Sequence, residues 1–180
     1  MDRFKERLRM GLEDVEMFAS IDQSQLDAMA DALLAAKRIF VAGWGRAGNC
    51  IRILSMDCSQ IGLETFVVGD NSTPSIQPDD ILVIGSGSGE TKTMAILARQ
   101  CKEHGAKLGL VSGNPDSTIG KLADVNVVIP KKSWAEDAPP ASGGSLYHVM
   151  VMVCDILRVY LADKLGVTNA DIVYNHNNLE

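Results

Sequence analysis

Positive charge is in short supply in this chain. Seventeen lysines and arginines stand against 23 acidic residues, giving a net charge of −6 and a pI near 5.0. That balance excludes general binding to nucleic acids or anionic membranes, which needs a basic face. Any phosphate bound here must be held by local donors against the field of the whole molecule. The four cysteines, Cys50, Cys58, Cys101 and Cys154, include no CxxC pair and lie far apart, each in or beside an apolar helical stretch. A metal site or disulfide framework is not what such spacing builds; buried free thiols are. The opening "MDRFKERLRM" has no apolar signal core, and no run approaches a membrane-spanning length. There is no internal repeat and no linker. A single cytoplasmic domain, 1–180, is the expectation, and 180 residues suffice for a proper core.

What is present falls into two rhythms. The first 36 residues read as a helical arm: "FKERLRMGLEDVEMFASI" carries an apolar stripe of Phe4, Leu8, Leu12, Val15 and Phe18, and Asp22 can cap a second helix, "QSQLDAMADALLAA". Then come five short apolar, β-branched runs: "RIFVAG" (38–43), "ETFVVG" (64–69), "DILVIG" (80–85), "KLGLVSG" (107–113) and "VNVVIP" (125–130). Runs apolar on both faces are parallel strands covered by helices on either side. Between them lie "AGNCIRILSMDCSQIG", "TKTMAILARQCKEHG" and "DSTIGKLA", all read as helical, with His104-Gly105 a structural helix stop. This alternation predicts an open α/β sheet of about five parallel strands with right-handed crossovers. A loop, "KKSWAEDAPPASGGS", follows the last strand. Two helices, "LYHVMVMVCDILRVYLADKLG" and "TNADIVYNHNNLE", close the chain over 145–180. The first helix and the last long one, whose "VMVMV" has almost no polar side, are both candidate oligomerisation surfaces.

Two glycine-rich turns carry the chemistry. "GWGRAG", Gly43 to Gly48, matches the G-x-G-x-x-G dinucleotide fingerprint in context, and Asp70 stands where a ribose-binding acid belongs. Trp44 and Arg46 are bulky for a turn that must let a pyrophosphate near the backbone. The second turn, "GSGSGET", supplies a different cradle. Ser86, Ser88 and Thr91 offer hydroxyls, Gly87 and Gly89 let backbone N–H groups turn inward, and a helix starting near Glu90 adds its positive end. Such a nest suits one terminal phosphate monoester. No G-K-[ST] follows, so it is not a Walker loop. Both turns sit at carboxyl ends of neighbouring strands, where open α/β sheets bind ligands. Arg46 and the "NSTPS" loop (71–75), with Thr73, then face the remainder of the molecule.

These segments, with "VVGDNSTPSI" between them and "NHNNLE" at the end, resemble the sugar-isomerase (SIS) family, and within it the 6-phospho-3-hexuloisomerases, from about Arg38 to Glu180. The resemblance implies a three-layer, flavodoxin-like α/β sandwich with a five-stranded parallel sheet. It also implies a homotetramer with sites between subunits, and exchange of arabino-3-hexulose 6-phosphate with fructose 6-phosphate in formaldehyde fixation by the ribulose monophosphate route. By the same resemblance the sugar phosphate, and no cofactor, is bound by Gly45, Arg46, Ala47, Thr73 and the residues Ser86, Gly87, Ser88, Gly89, Glu90 and Thr91. His176 matches the family's closing histidine, on a tail that enters a neighbouring subunit's site. Two departures stand out. Ala47 replaces the usual serine of G-x-G-R-S-G, and "GSLYHV" replaces a segment that places a glutamate base. Wording aligns His148 with that glutamate; counting from the carboxyl terminus aligns Tyr147.

Moving a carbonyl between C2 and C3 requires a base for a carbon-bound proton, an acid for oxygen and a donor for the developing oxyanion. Neither metal nor redox cofactor is needed. Histidine has a neutral, basic fraction near pH 7. The expectation is therefore His148 or His176 as base, the other histidine or Tyr147 as proton shuttle, and Arg46 as oxyanion support. If the missing glutamate means missing catalysis, the chain is a sugar-phosphate sensor instead.

Overall fold

Strand residues divide by alternation between two cores. The computed structural model describes residues 2–130 and 145–179. Within them β1 (Ile39–Gly43), β2 (Thr65–Val67), β3 (Ile81–Gly85), β4 (Lys107–Ser112) and β5 (Val125–Val128) form one parallel sheet in the order β2-β1-β3-β4-β5. Ile39, Val41, Ile81, Val83, Val111 and Val127 enter one core, with side chains from α2 (Gln23–Ala35), α3 (Gly45–Gln60) and α5 (Ser145–Leu165). Phe40, Ala42, Leu82, Ile84, Leu108 and Leu110 enter the other, beneath α4 (Lys92–Glu103). A period of two thus supplies both faces of a covered sheet. The helices α1 (Arg3–Ala19) and α6 (Asn169–Asn175) complete the chain, α1 against α5 and α6 against α3.

Local signals account for most boundaries. Asp2 and Asp22 cap α1 and α2 through their side chains, and Thr168 forms a reciprocal capping box with Asp171 at α6. At the foot of β1 and β3, Arg38 forms a two-pronged pair with the buried Asp80, at 3.0 and 2.7 Å. Burial by itself raises the Asp80 carboxyl, but hydrogen bonds from Arg38 and the Gln77 N–H outweigh it and hold the group below its ordinary value.

Several expectations are corrected. "DSTIGKLA" is not a helix but a chain of turns, because Gly120 lies so close to Pro115 that a Cβ there would stand 2.1 Å from its carbonyl oxygen. In that segment the Ser117 Oγ accepts from the Gly120 N–H at 3.1 Å. The last helix stops at Asn175, leaving 176–179 outside it, and α4 begins at Lys92 rather than at Glu90. A run of membrane-spanning character does exist: α5 has 21 residues and contains an 18-residue stretch of mean hydropathy 1.5. Its apolar side is nonetheless a core face, since Val149, Met150, Val153, Cys154, Leu157 and Leu161 are fully buried under α1, α2 and α3. The "VMVMV" stretch is therefore covered within one chain, with Val151 and Met152 half-buried. The loop "KKSWAEDAPPASGG" lies outside the described residues. All four thiols are free. Burial pushes Cys58 up to about 12 and Cys101 up to about 11, and pushes Cys154 up as well, so these three are not nucleophiles near neutral pH.

Candidate active site

Strand register brings the two glycine turns together. Gly43 pairs with Gly85 across β1 and β3, so "GWGRAG" and "GSGSGET" open side by side where the strand order reverses, the ligand-binding position of open α/β sheets. Gly48 lets α3 rest directly on the strand end, since a Cβ there would stand 2.3 Å from the Gly43 carbonyl oxygen. The same closeness suits the fingerprint's third glycine, but Asp70 is turned to Arg52, 3.9 Å away.

The second turn is a preformed cup. Ser86 is buried, and its Oγ accepts from the Gly89 N–H at 3.1 Å and lies 3.3 Å from the Thr91 Oγ1. Ser88 Oγ accepts from the Glu90 N–H at 3.1 Å. A serine oxygen that accepts from backbone still has its own proton to donate, so the ring of hydroxyls can turn its protons toward an anion. Thr91 is the N-cap of α4 yet makes no side-chain cap bond, leaving first-turn N–H groups of α4 for a ligand.

What holds this cup was missed by the sequence reading. Behind it runs the segment after β4. Gly113 N–H donates to the Gly87 carbonyl, Ile119 N–H to the Gly89 carbonyl and Asn114 Nδ2 to the Ser88 carbonyl, at 3.2, 3.2 and 3.4 Å. Glu90, assigned to substrate contact, instead accepts from the Thr118 N–H and Oγ1 at 2.7 and 2.8 Å, bonds that hold its carboxyl below its ordinary value. The available signal was "SGNPDST", a cluster of turn residues just past the neighbouring strand.

The other assigned residues separate. Arg46 lies over the Tyr147 ring, with its Cζ 4.4 Å from the centroid. The Tyr147 hydroxyl reaches within 3.6 Å of where a Cβ on Gly87 would be. Gly45, Arg46, Gly87 and Tyr147 thus frame one mouth. Ala47 turns into the core instead. Thr73 donates its hydroxyl to the Val67 carbonyl at 2.7 Å and lines a separate cavity of about 230 Å³ with Phe40, Ile76 and His104. Beside the cup a cavity of about 560 Å³ is lined by Trp44, Gly45, Asn49, Arg52, Thr93 and Ile96, among others.

His148 faces away from the cup toward α1. Its Nδ1 stands 2.9 Å from the Asp14 Oδ2 and 2.7 Å from the Arg7 Nη2. One ring nitrogen serves only one of them at a time. Asp14 is buried, and its Oδ1 has no hydrogen-bond partner among the described residues. His176 is exposed, at the end of α6, and its neighbour Asn175 donates to the Gln60 carbonyl at 3.2 Å. Gln60 ends α3 and Arg46 lies in its first turn, so about 20 Å of helix separates this tail from the mouth.

The class of protein is thereby defined. The SIS domain model matches residues 32–156, and the chain belongs to the SIS domain family. Among its relatives, the 3-hexulose-6-phosphate isomerase of Mycobacterium gastri is 33% identical over 93% of this chain and 86% of its own length. The 3-hexulose-6-phosphate isomerase of Bacillus subtilis is 29% identical over 90% of each chain. A solved structure from Methanococcus jannaschii, 23% identical, shares the fold with a TM-score of 0.86 over 97% of this chain and 99% of that one.

Proposed function

We propose that this chain is a sugar-phosphate isomerase that exchanges arabino-3-hexulose 6-phosphate and fructose 6-phosphate through a cis-enediol. The observation that carries the reading is the cup at the β3–α4 junction, a phosphate-sized ring of hydroxyls and amides at the sheet's switch point. The relatives from Mycobacterium gastri and Bacillus subtilis support the choice of sugar.

In this reading Ser86, Ser88, Thr91 and the α4 N-terminus hold the phosphate. That remote binding energy places C1 to C3 at the mouth, against Arg46 and Tyr147. The Tyr147 hydroxyl shuttles the proton between O2 and O3, and Arg46 stabilises the oxyanion as it forms. His148 is committed to Asp14 and Arg7. The base is therefore His176 from another copy in a homotetramer, since α3's length separates it from its own mouth. Four free thiols fit a cytoplasmic, single-domain enzyme.

Turnover of fructose 6-phosphate, with thermal shift alongside, tests this. We expect turnover and a stabilising shift, with KM raised about 10- to 100-fold in S86A for loss of a hydrogen bond to a charged group. Absence of both signals overturns the reading. A shift without turnover favours a second one, a sugar-phosphate sensor, which is motivated by the first turn of α5, Ser145 to His148, having no carboxylate.

A further inference from the structure

The helix α1 has two faces, and only one is used. Asp14, Met17 and Phe18 pack toward the body of the protein. On the outside, Phe4, Leu8, Leu12 and Val15 are 76, 59, 65 and 53% exposed. Their spacing of four, four and three puts them in one stripe along the helix. A contiguous stripe of this kind on an ordinary surface marks a contact.

Charge identifies what covers it. The first half of α1 carries Arg3, Lys5, Arg7 and Arg9 against Glu6, while the second half carries Glu13, Asp14 and Glu16 with no basic residue in the last turn. Basic residues at a helix start and acidic residues at its end both oppose the helix dipole. The arrangement costs a solitary helix stability. Arg7 and Arg9 already pair within the chain, with Asp14 and Glu13, so the charges beside the open stripe are Lys5, 3.7 Å from the exposed Asp2, and Glu16. These and the helix dipoles become favourable when a second α1 lies alongside in the opposite direction.

We infer that α1 pairs antiparallel with α1 of a second copy across a two-fold axis between Leu8 and Leu12. The register is self-consistent. Pairing Leu8 with Leu12 of the second copy also sets Phe4 against Val15 and Lys5 against Glu16, since each pair of numbers sums to about 20. Lys5 and Glu16 lie on the same flank of the stripe, so a two-fold axis brings each to the other. Within one chain the two are about 16 Å apart along the helix and cannot meet. This inference rests on the self-assembly included in the proposed function and names the face that makes it; the catalytic roles do not enter.

The test is solution mass by analytical ultracentrifugation at about 10 μM, with helicity by circular dichroism confirming folding. L8E/L12E is expected to reduce the mass twofold. K5E and E16K are each expected to weaken association at least tenfold, and K5E/E16K to restore it, because the exchanged charges meet again only in an antiparallel pair. Unchanged mass in L8E/L12E, or a wild-type chain that is monomeric, overturns the pairing. Reduced mass in L8E/L12E, K5E and E16K without recovery in K5E/E16K overturns the antiparallel register. Unchanged mass together with co-sedimentation of the wild type on phosphatidylserine vesicles would assign the stripe to a lipid surface. Loss of isomerase turnover with the mass pattern intact would sink the catalytic reading and leave this pairing standing.

Discussion

Gly89 is the position where the cup is most exposed to a single change. Its φ is +66°, and a Cβ there would stand 2.0 Å from the Ser117 Oγ and 2.5 Å from the Ser117 Cβ. Gly89→Ala therefore has two costs. The left-handed conformation costs an L-residue about 1–2 kcal/mol. Displacing Ser117 also disturbs the bonds it makes to the Asn114 carbonyl and from the Gly120 N–H, at 2.8 and 3.1 Å, each worth about 1 kcal/mol. The total is about 3–4 kcal/mol, which lowers Tm by about 6–16 °C at this chain length. The informative comparison is a double-mutant cycle measured by urea unfolding. With Ser117→Gly already in place, the clash and both bonds are gone, so Gly89→Ala should cost only its backbone strain, about 1–2 kcal/mol. An equal cost of Gly89→Ala in both backgrounds would refute the reasoning that Ser117 packs directly against the Gly89 backbone.

Two other expectations follow from the geometry. Tyr147→Phe should lower kcat about 100-fold by removing the shuttle hydroxyl, while His148→Gln leaves kcat within about threefold and lowers Tm by loosening Asp14; the reverse pattern would put the imidazole, not the phenol, at the reacting carbons. The Asp80 carboxyl is held below its ordinary value in the folded chain, so its stabilisation is complete above the unfolded pKa of about 4 and is lost as pH falls through the lower folded one. Thermal unfolding between pH 6 and 2 should show that loss. Asp80→Asn should be destabilised by about 3 kcal/mol at pH 7, because Arg38 loses its charged partner and keeps only neutral acceptors such as the Ser75 carbonyl, and should show a shallower acid limb; an unchanged limb would mean other carboxylates govern acid unfolding.

The strands and the hydroxyl-lined turn that follows β3 were legible in the order of residues. Both are local. A short β-branched run that is apolar on both faces and bounded by turn residues marks a covered strand, and serines alternating with glycines at a strand end mark a tight polar turn. Caps such as Asp22 were legible for the same reason, because the donor and acceptor lie two residues apart. The segment 116–123 was not, since its helical composition is overruled by the close approach of Gly120 to Pro115.

Tertiary structure decided everything that depends on a side chain's direction around a helix or on a contact across the chain. Tyr147 and His148 are adjacent in sequence and equally plausible in chemistry, but 100° of helical rotation sends the phenol to Arg46 and the imidazole to Asp14, 134 residues away. Likewise only packing shows that α5 hides its apolar side while α1 leaves its own uncovered. Short-range geometry is written in neighbouring residues; which faces meet is set by the free energy of burying the whole.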